Sequence, residues 1–381
     1  MIQKRISGMT SFIVMDVLER AQEMERAGID IIHLEVGEPD FPPPACVSTA
    51  IRRALEEGHT HYTHSLGMIE LREAIAWHYR ERYGVSVDPV QVVVASGTSP
   101  AMLSMFSVLL EKGSEVIIPD PHYACYPNFI RYLEGEAVTV RVYEEEGFQY
   151  RPEAVRRAIT AKTRAILVNS PANPTGAVLS ADRMETIAGF GPYIISDEIY
   201  HGLNYEGKEH SILELTERAF VLNGFSKLFA MTGLRLGYLI APKDFIPALQ
   251  KLQQNFFLAP NSVSQVAGVA ALKEGWEEVA RMRDIYNERR RYMIDRLRTI
   301  GFVIPVEPTG AFYVFANARW ISGDSYRLAF DILEKAHVGV TPGIDFGGGG
   351  EGFLRFSYAN SMDNIREGLN RLERYVLERS R

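Results

Sequence analysis

The chain is poor in cysteine and has no excess of basic residues. Its two cysteines, Cys46 and Cys125, lie far apart and form no CxxC pair. A disulfide framework or a thiolate zinc site is therefore not expected, and a reducing compartment such as the cytoplasm is predicted. With 41 Lys and Arg against 48 Asp and Glu, the formal charge is −7. That balance argues against a protein that binds nucleic acid through a basic face.

Long apolar runs, internal repeats and low-complexity stretches are also missing. No stretch approaches the roughly 18 apolar residues that a membrane-spanning helix needs. Lys4 and Arg5 are not followed by the apolar segment that is typical of a signal peptide. We therefore predict a soluble, cytoplasmic protein without a membrane partner. His59, His61 and His64 have no spacing that fits a pair of metal ligands on a helix, so a polar loop and no metal site is predicted there.

The sequence does contain short β-rich runs that alternate with amphipathic helices, which is typical of a mostly parallel sheet covered by helices. A chain of 381 residues with 46% hydrophobic residues predicts two domains. We predict a large α/β domain over residues 45–280, and a smaller, discontinuous α+β domain made of residues 1–44 and 281–381. The main predicted strands are Ile31–Val36, Gln91–Ala95, Glu115–Ile118, Arg164–Asn169, Tyr193–Ser196, Phe220–Asn223, Leu236–Ile240, Ala311–Phe315 and Phe353–Ser357.

Five polar positions lie just after predicted strands. They are Gly97–Ser99, Tyr123, Asn173, Asp197 and Lys227. In open α/β sheets, ligands bind outside the carboxyl ends of the strands. The sequence therefore predicts a binding site at that edge of the sheet.

Two of these positions carry side chains that are ordinarily charged at neutral pH. Lys227 follows an apolar strand, where burial of its amine favours the neutral, nucleophilic form, although a single lysine of this kind is more often a surface charge. Asp197 ends the apolar run Tyr193–Ser196 and can hold a heteroaromatic nitrogen protonated. The alternative for Asp197 is a helix N-cap.

Two loops are candidates for holding a ligand. Asn173 lies in a turn stiffened by prolines, and the Asn173–Pro174 bond is a candidate cis peptide; a plain connection capped by Ser180 is the alternative. Ser96–Pro100 opens a helix with small residues, so its N–H groups are predicted to bind an anion such as phosphate. The same pattern also describes ordinary helix capping. Ser226 and Arg235 are candidates for further phosphate contacts.

Four blocks occur together and in a specific order. With Gly37–Phe41, Asn173–Gly176, Ser196–Tyr200 and Ser226–Gly237, the chain resembles the class I/II aminotransferases of the fold-type-I pyridoxal-phosphate (PLP) superfamily, from about Ile31 to Ala359. The resemblance implies a mostly parallel, seven-stranded sheet and PLP as cofactor. It implies ping-pong transfer of an amino group from an L-amino acid to a 2-oxo acid. It also implies a homodimer in which Tyr62 reaches the phosphate of the neighbouring site.

The resemblance assigns roles to individual residues. Lys227 is implied to carry the cofactor as a Schiff base and to shuttle the proton, and Asp197 to pair with the pyridinium nitrogen. Arg355 is implied to grip the substrate α-carboxylate, and its isolated position in the apolar strand Phe353–Ser357 independently suggests a bound anion. The remaining implied contacts are Tyr200 and Asn173 to the ring oxygen, Tyr123 stacked on the ring, Gly97, Thr98, Ser99, Ser226 and Arg235 around the phosphate, and Gly37 beside the substrate.

Two rival functions fit parts of this pattern. A carbon–sulfur lyase or β-eliminating enzyme would use the same cofactor residues, so overall resemblance alone favours transfer. A regulatory module on the same fold would need a DNA-binding segment, and the resemblance leaves no room in which we expect one. The amino donor is not readable from the sequence: aspartate, alanine, glutamate and aromatic amino acids stay open, with 2-oxoglutarate as an acceptor.

Overall fold

A computed structural model of the chain describes Ile6 and residues 8–379. Lys4 and Arg5, at which no signal peptide was predicted, lie outside the described residues. Within the described part of the chain, no helix combines the length and apolar character that crossing a bilayer requires.

Twelve strands are present among the described residues, and they form three sheets. The central sheet has seven strands and the other two sheets have three and two. In chain order the strands are β1 (Ile32–His33), β2 (Val92–Ala95), β3 (Glu115–Asp120), β4 (Glu136–Arg141), β5 (Thr163–Asn169), β6 (Tyr193–Asp197), β7 (Ala219–Gly224), β8 (Gly237–Ile240), β9 (Tyr313–Asn317), β10 (Val338–Gly339), β11 (Thr341–Pro342) and β12 (Phe353–Ser357).

The central sheet has the strand order β2-β8-β7-β6-β5-β3-β4. β8 runs antiparallel to both of its neighbours, and all other neighbouring pairs are parallel. This arrangement confirms the predicted α/β class with a mostly parallel, seven-stranded sheet. β2, β7, β6, β5, β3 and β4 consequently all point in one direction, and their carboxyl ends share one edge.

Both faces of the central sheet are covered. Alternate residues of each strand enter different apolar clusters: Val92 and Val94 belong to one, and Val93 and Ala95 to the other. Such continuous apolar strands are typical of parallel sheets buried on both sides. The covering and surrounding helices are Ile13–Arg26, Ala45–Glu56, Ile69–Tyr83, Thr98–Leu109, Tyr126–Tyr132, Pro152–Ala158, Ala181–Ala188, Ile246–Leu252, Ser262–Glu274, Trp276–Ile300, Ser325–Ala336 and Met362–Arg379.

One strand of the central sheet was missed by the sequence analysis. β4 forms the edge of the sheet and pairs only with β3, and most of its residues are exposed or half-buried. Because Glu136, Thr139 and Arg141 interrupt its apolar residues, β4 lacks the continuous apolar run that marked its neighbours.

The two ends of the chain meet in the smaller sheets. β1 pairs with β10, which joins residues near 32 to residues near 338, and β9, β12 and β11 form an antiparallel sheet. β1 is shorter than the predicted Ile31–Val36, since the carbonyl of Glu35 bonds to the side chains of Thr341 and Arg355 rather than to a strand. β9 begins two residues later than predicted. The domain boundaries at residues 44 and 280 stay a prediction.

Candidate active site

The polar positions predicted from the sequence meet at one edge of the central sheet. The carboxyl ends of β2, β3, β5, β6 and β7 lie there, and Arg235 joins them because it precedes the antiparallel strand β8. A cavity of about 360 Å³ opens at this edge. Its lining includes Gly37, Thr98, Ser99, Tyr123, Asn173, Asp197, Tyr200, Ser226, Lys227, Arg235 and Arg355.

Lys227 lies three residues beyond the end of β7 and points into the cavity. Its Nζ donates a hydrogen bond of 2.7 Å to the carbonyl oxygen of Gly37. Burial lowers the pKa of Lys227 to about 8, although the charge of Glu38 acts in the opposite direction. The amine is therefore far more often neutral near pH 7 than that of a surface lysine.

Asp197 is the last residue of β6 and is buried. The hydroxyl of Tyr126 donates to its Oδ2 at 2.6 Å, and the backbone N–H of Ile199 donates to its Oδ1 at 3.3 Å. Burial raises the pKa of Asp197 to about 6. The helix N-cap alternative is wrong, since residues 199–202 form turns and no helix begins there. The structure thus places a buried carboxylate in the lining of the cavity that Lys227 also lines.

Arg355 is buried on β12 with only neutral hydrogen-bond partners. Its Nη1 donates to Oδ1 of Asn173 at 2.8 Å, and its Nη2 donates to the carbonyl of Glu35 and to Oγ1 of Thr341. Its buried Nε has no hydrogen-bond partner among the described residues. A buried cation is costly unless an anion accompanies it. This guanidinium is therefore suited to bind a carboxylate that enters the cavity.

A second anion site lies where β2 ends. Gly97 has φ +100° and begins the helix Thr98–Leu109, which places the free N–H groups of its first turn at the cavity. A Cβ on Gly97 would lie 2.6 Å from Nη2 of Arg235, so only glycine lets this guanidinium approach so closely. Gly97 has no side chain with which to cap the helix, which argues against the ordinary capping alternative. Backbone donors and a guanidinium together suit a phosphate group.

Tyr200 is linked to a residue that the sequence analysis missed. Its hydroxyl lies 2.8 Å from the hydroxyl of Tyr313 on β9. The ring of Tyr313 also lies 4.4 Å from the guanidinium carbon of Arg355. Tyr313 thus contacts two of the predicted site residues. It carries no charge and lies in an ordinary apolar strand, so no local signal marked it.

Tyr126 was missed for a similar reason. It lies on the short helix Tyr126–Tyr132 and is fully buried, so its sequence context resembles that of a core aromatic residue. Its neighbour Tyr123 was predicted and lines the cavity, with its ring edge-on to Tyr126 at 5.2 Å. The proximity of Tyr126 to Asp197 depends on a contact across 71 residues of sequence.

Tyr62 is a predicted site residue that the single chain does not bring to the cavity, whereas Gly97, also outside the lining, lies beside Arg235. Tyr62 has 85% of its surface exposed and is not part of the cavity lining.

Asn173 and Pro174 are joined by a cis peptide bond, as the loop sequence suggested.

The family to which the chain belongs is decided by a match over most of its length. A family model described as aminotransferase class I and II matches residues 29–372. The chain belongs to the class I and II aminotransferases. The predicted activity, transfer of an amino group, is confirmed by this membership and by the aminotransferases among its relatives.

Individual relatives of this aminotransferase align over almost their whole length. It is 40% identical to (5-formylfuran-3-yl)methyl phosphate transaminase of Methanocaldococcus jannaschii, over 99% of this chain and 100% of the relative. It is 39% identical to an aspartate/prephenate aminotransferase of Thermus thermophilus, over 98% of each chain. The solved structure of a Thermus thermophilus aspartate aminotransferase with maleate superimposes with a TM-score of 0.94 at 38% identity, covering 98% of this chain and 99% of that one. These relatives give no support to the lyase alternative.

Proposed function

We propose that this aminotransferase uses PLP, held in the cavity at the sheet edge, to move an amino group from an L-amino acid to a 2-oxo acid by a ping-pong mechanism. The observation that carries the proposal is that Lys227 and Asp197 line one cavity of about 360 Å³. An amine of lowered pKa and a buried carboxylate are the two groups that such a cofactor requires at its opposite sides.

The residues present fit PLP at each of its functional groups. The N–H groups of Thr98 and Ser99, with Ser226 and Arg235, supply donors for the phosphate. Asp197 supplies the anion for the ring nitrogen, and Tyr123 lines the cavity beside the space for the ring. When bound, PLP acts as an electron sink for the bonds at the substrate Cα.

Lys227 has two tasks in this proposal. Its neutral amine would be the point of covalent attachment for the cofactor, and the same amine, when free, would accept the substrate α-proton and return it. The lowered pKa of about 8 leaves a substantial neutral fraction at physiological pH. The bond from Nζ to the Gly37 carbonyl holds the amine in the cavity.

The remaining residues bind and orient. Asp197, steadied by the Tyr126 hydroxyl, keeps the ring nitrogen protonated. Arg355 binds the α-carboxylate of the substrate, and Asn173 holds the Nη1 end of that guanidinium in place. Tyr200 donates towards the ring oxygen from a hydroxyl whose pKa burial raises well above its usual value, so that it remains protonated.

A homodimer is part of the proposal. Tyr62 has 85% of its surface exposed in the single chain. A large aromatic side chain in that position is available to contact the phosphate in the site of a second subunit.

We also propose that the enzyme is located in the cytoplasm. We propose that it is divided into a large domain of residues 45–280 and a small domain of residues 1–44 and 281–381.

Lys227→Ala tests the proposal directly. The variant is expected to lose the absorbance of covalently attached PLP and all turnover, because Lys227 is the only lysine among the described residues that line the cavity. Lys243→Ala, which removes a surface lysine paired with Asp88, is the matched control and should behave as the unaltered protein. A normal spectrum of the attached cofactor in Lys227→Ala contradicts the assignment.

A second measurement separates transfer from elimination. Amino acids are supplied with and without a 2-oxo acid acceptor, and keto-acid and ammonia formation are followed. Turnover is expected to require the acceptor. Sustained release of ammonia and pyruvate without any acceptor would instead identify a lyase.

A further inference from the structure

The N-terminal helix, Ile13–Arg26, has two apolar faces. Val17, Ala21 and Met24 form the first, which packs on Leu333 and Ile31 in the core. A surface helix of a globular protein ordinarily carries one such stripe. The second face therefore needs a different partner.

The second apolar face is turned to the cavity. It consists of Phe12, just before the helix, with Met15 and Leu18 at a spacing of three residues, and all three line the cavity. Met15 has 52% of its surface exposed, so it retains apolar area that the single chain does not cover. Burying such area is favourable by about 25 cal/mol per Å².

Two contacts hold this face in position. The buried carboxylate of Asp345 accepts hydrogen bonds from the backbone N–H groups of Ile13 at 2.9 Å and Val14 at 3.2 Å, which fixes the start of the helix. The ring of Phe12 lies edge-on to Tyr123 at a centroid distance of 5.9 Å. These contacts fix the second apolar face as an ordered part of the cavity wall.

The charges around the cavity are unfavourable to a second carboxylate. Of the described residues that line it, the cations are Lys227, Arg235 and Arg355. Under the proposed function these three bind the cofactor, its phosphate and the substrate α-carboxylate. The charged residue that remains in the lining beside Asp197 is Glu38, an acid. A side-chain carboxylate entering here would lose water without gaining a cation from the described lining of the single chain.

We propose that the side-chain subsite of this aminotransferase, formed by Phe12, Met15 and Leu18, takes amino donors with a large apolar side chain in preference to those that end in a carboxylate. The inference rests on the proposed function and narrows it to a substrate class. Phe12, Met15 and Leu18 supply the apolar contact, and Glu38 disfavours a distal anion.

The test is the half-reaction of the PLP-loaded enzyme with one amino donor and no acceptor, followed by the absorbance of the bound cofactor. Phenylalanine and leucine are expected to react at least about tenfold more efficiently than aspartate and glutamate, a difference of about 1.4 kcal/mol. Equal or higher efficiency with aspartate or glutamate overturns the inference and leaves the proposed function intact. If no amino donor alters the absorbance, the proposed function itself fails.

Met15→Arg tests whether the second apolar face determines the preference for apolar donors. A cation at the second face is expected to lower the ratio of phenylalanine to aspartate efficiency by about tenfold or more. Leu377→Arg is the matched control, because Leu377 is also an exposed apolar residue on a helix, with 60% of its surface exposed, and lies outside the cavity. Its ratio should equal that of the unaltered enzyme.

A smaller substitution guards against loss of folding in Met15→Arg. Leu18→Ala is expected to reduce efficiency with phenylalanine and leave efficiency with aspartate unchanged, because it removes apolar contact without adding charge. Thermal unfolding verifies that each variant is folded. Ratios that stay within twofold of the unaltered enzyme in both folded variants overturn the assignment of this wall.

Discussion

The two sides of the cavity are assembled from different parts of the chain. The cofactor side, made of Gly97–Ser99, Asp197, Lys227 and Arg235, consists of residues at the ends of central-sheet strands, and its geometry follows from their parallel direction. The substrate side, made of Phe12, Gly37, Tyr313 and Arg355, comes from the two ends of the chain. Arg355 and the Glu35 carbonyl it contacts are 320 residues apart, and Ile13 and Asp345 are 332 apart.

The two sides of the cavity also differ in their chemistry, since one holds the ionisable groups of the proposed reaction and the other holds groups that bind the substrate. The cofactor side contains two buried ionisable groups that the proposed reaction uses. Burial lowers the pKa of Lys227 to about 8 and raises that of Asp197 to about 6. The substrate side contains a guanidinium held by neutral partners and an apolar wall. Substitutions on the cofactor side should therefore alter kcat, and those on the substrate side should alter KM or the choice of donor.

Asp197→Asn is expected to have the largest effect of the variants that keep Lys227. Loss of the buried carboxylate leaves the ring nitrogen without its anion, and breaking a buried ion pair costs about 3–5 kcal/mol. We expect kcat to fall by more than a hundredfold with KM little changed. Steady-state kinetics, with cofactor content measured by absorbance, give the comparison. Activity close to that of the unaltered enzyme would place the ring nitrogen elsewhere.

Arg355→Ala should produce the opposite pattern on the substrate side. Losing a charge-assisted bidentate contact in a desolvated site costs roughly 2–4 kcal/mol, so KM should rise about thirtyfold or more for every amino donor. The rise should be independent of the donor side chain, because the α-carboxylate is common to all. A KM that rises for some donors and not for others would move the α-carboxylate away from Arg355.

The same contrast explains how much the sequence could predict. Lys227, Asp197 and the Gly97–Ser99 turn each lie at or shortly after the end of an apolar strand, so strand pattern and local chemistry were enough to bring them to one edge. The fold class followed from the same alternation of strands and helices. β4 was not predicted because an edge strand needs no continuous apolar run, and its polar residues interrupt the apolar pattern that marks a strand.

The site residues that the sequence did not reveal depend on long-range contacts, and they lie on both sides of the cavity. Tyr313 and Tyr126 are buried tyrosines whose sequence context is that of the core, and only the packed chain brings their hydroxyls to Tyr200 and Asp197. The role of the N-terminal helix was missed for the same reason. Its apolar pattern predicts a helix but does not say which of its faces meets a cavity.

The rate at which PLP attaches to the cofactor-free protein should depend on pH through Lys227. The neutral amine is the reactive form, and its pKa is lowered to about 8, so the rate rises with pH and levels off above about 9. Between pH 7 and pH 8 the neutral fraction grows about fivefold. Stopped-flow absorbance measures this rate. A rate that keeps rising towards pH 10.5 would show an ordinary, solvated lysine.

Tyr313→Phe should have the smallest effect and should sharpen the boundary between the two sides, since Tyr313 contacts both. The change removes the bond of 2.8 Å to the Tyr200 hydroxyl but keeps the ring beside Arg355. A neutral hydrogen bond is worth about 1 kcal/mol, so kcat should fall about fivefold while KM stays nearly constant. Tyr313→Leu removes the ring as well and should raise KM in addition. If Tyr313→Phe raised KM as much as Tyr313→Leu does, the hydroxyl itself would belong to substrate binding, and its contact with Tyr200 would not link the substrate side to the cofactor side.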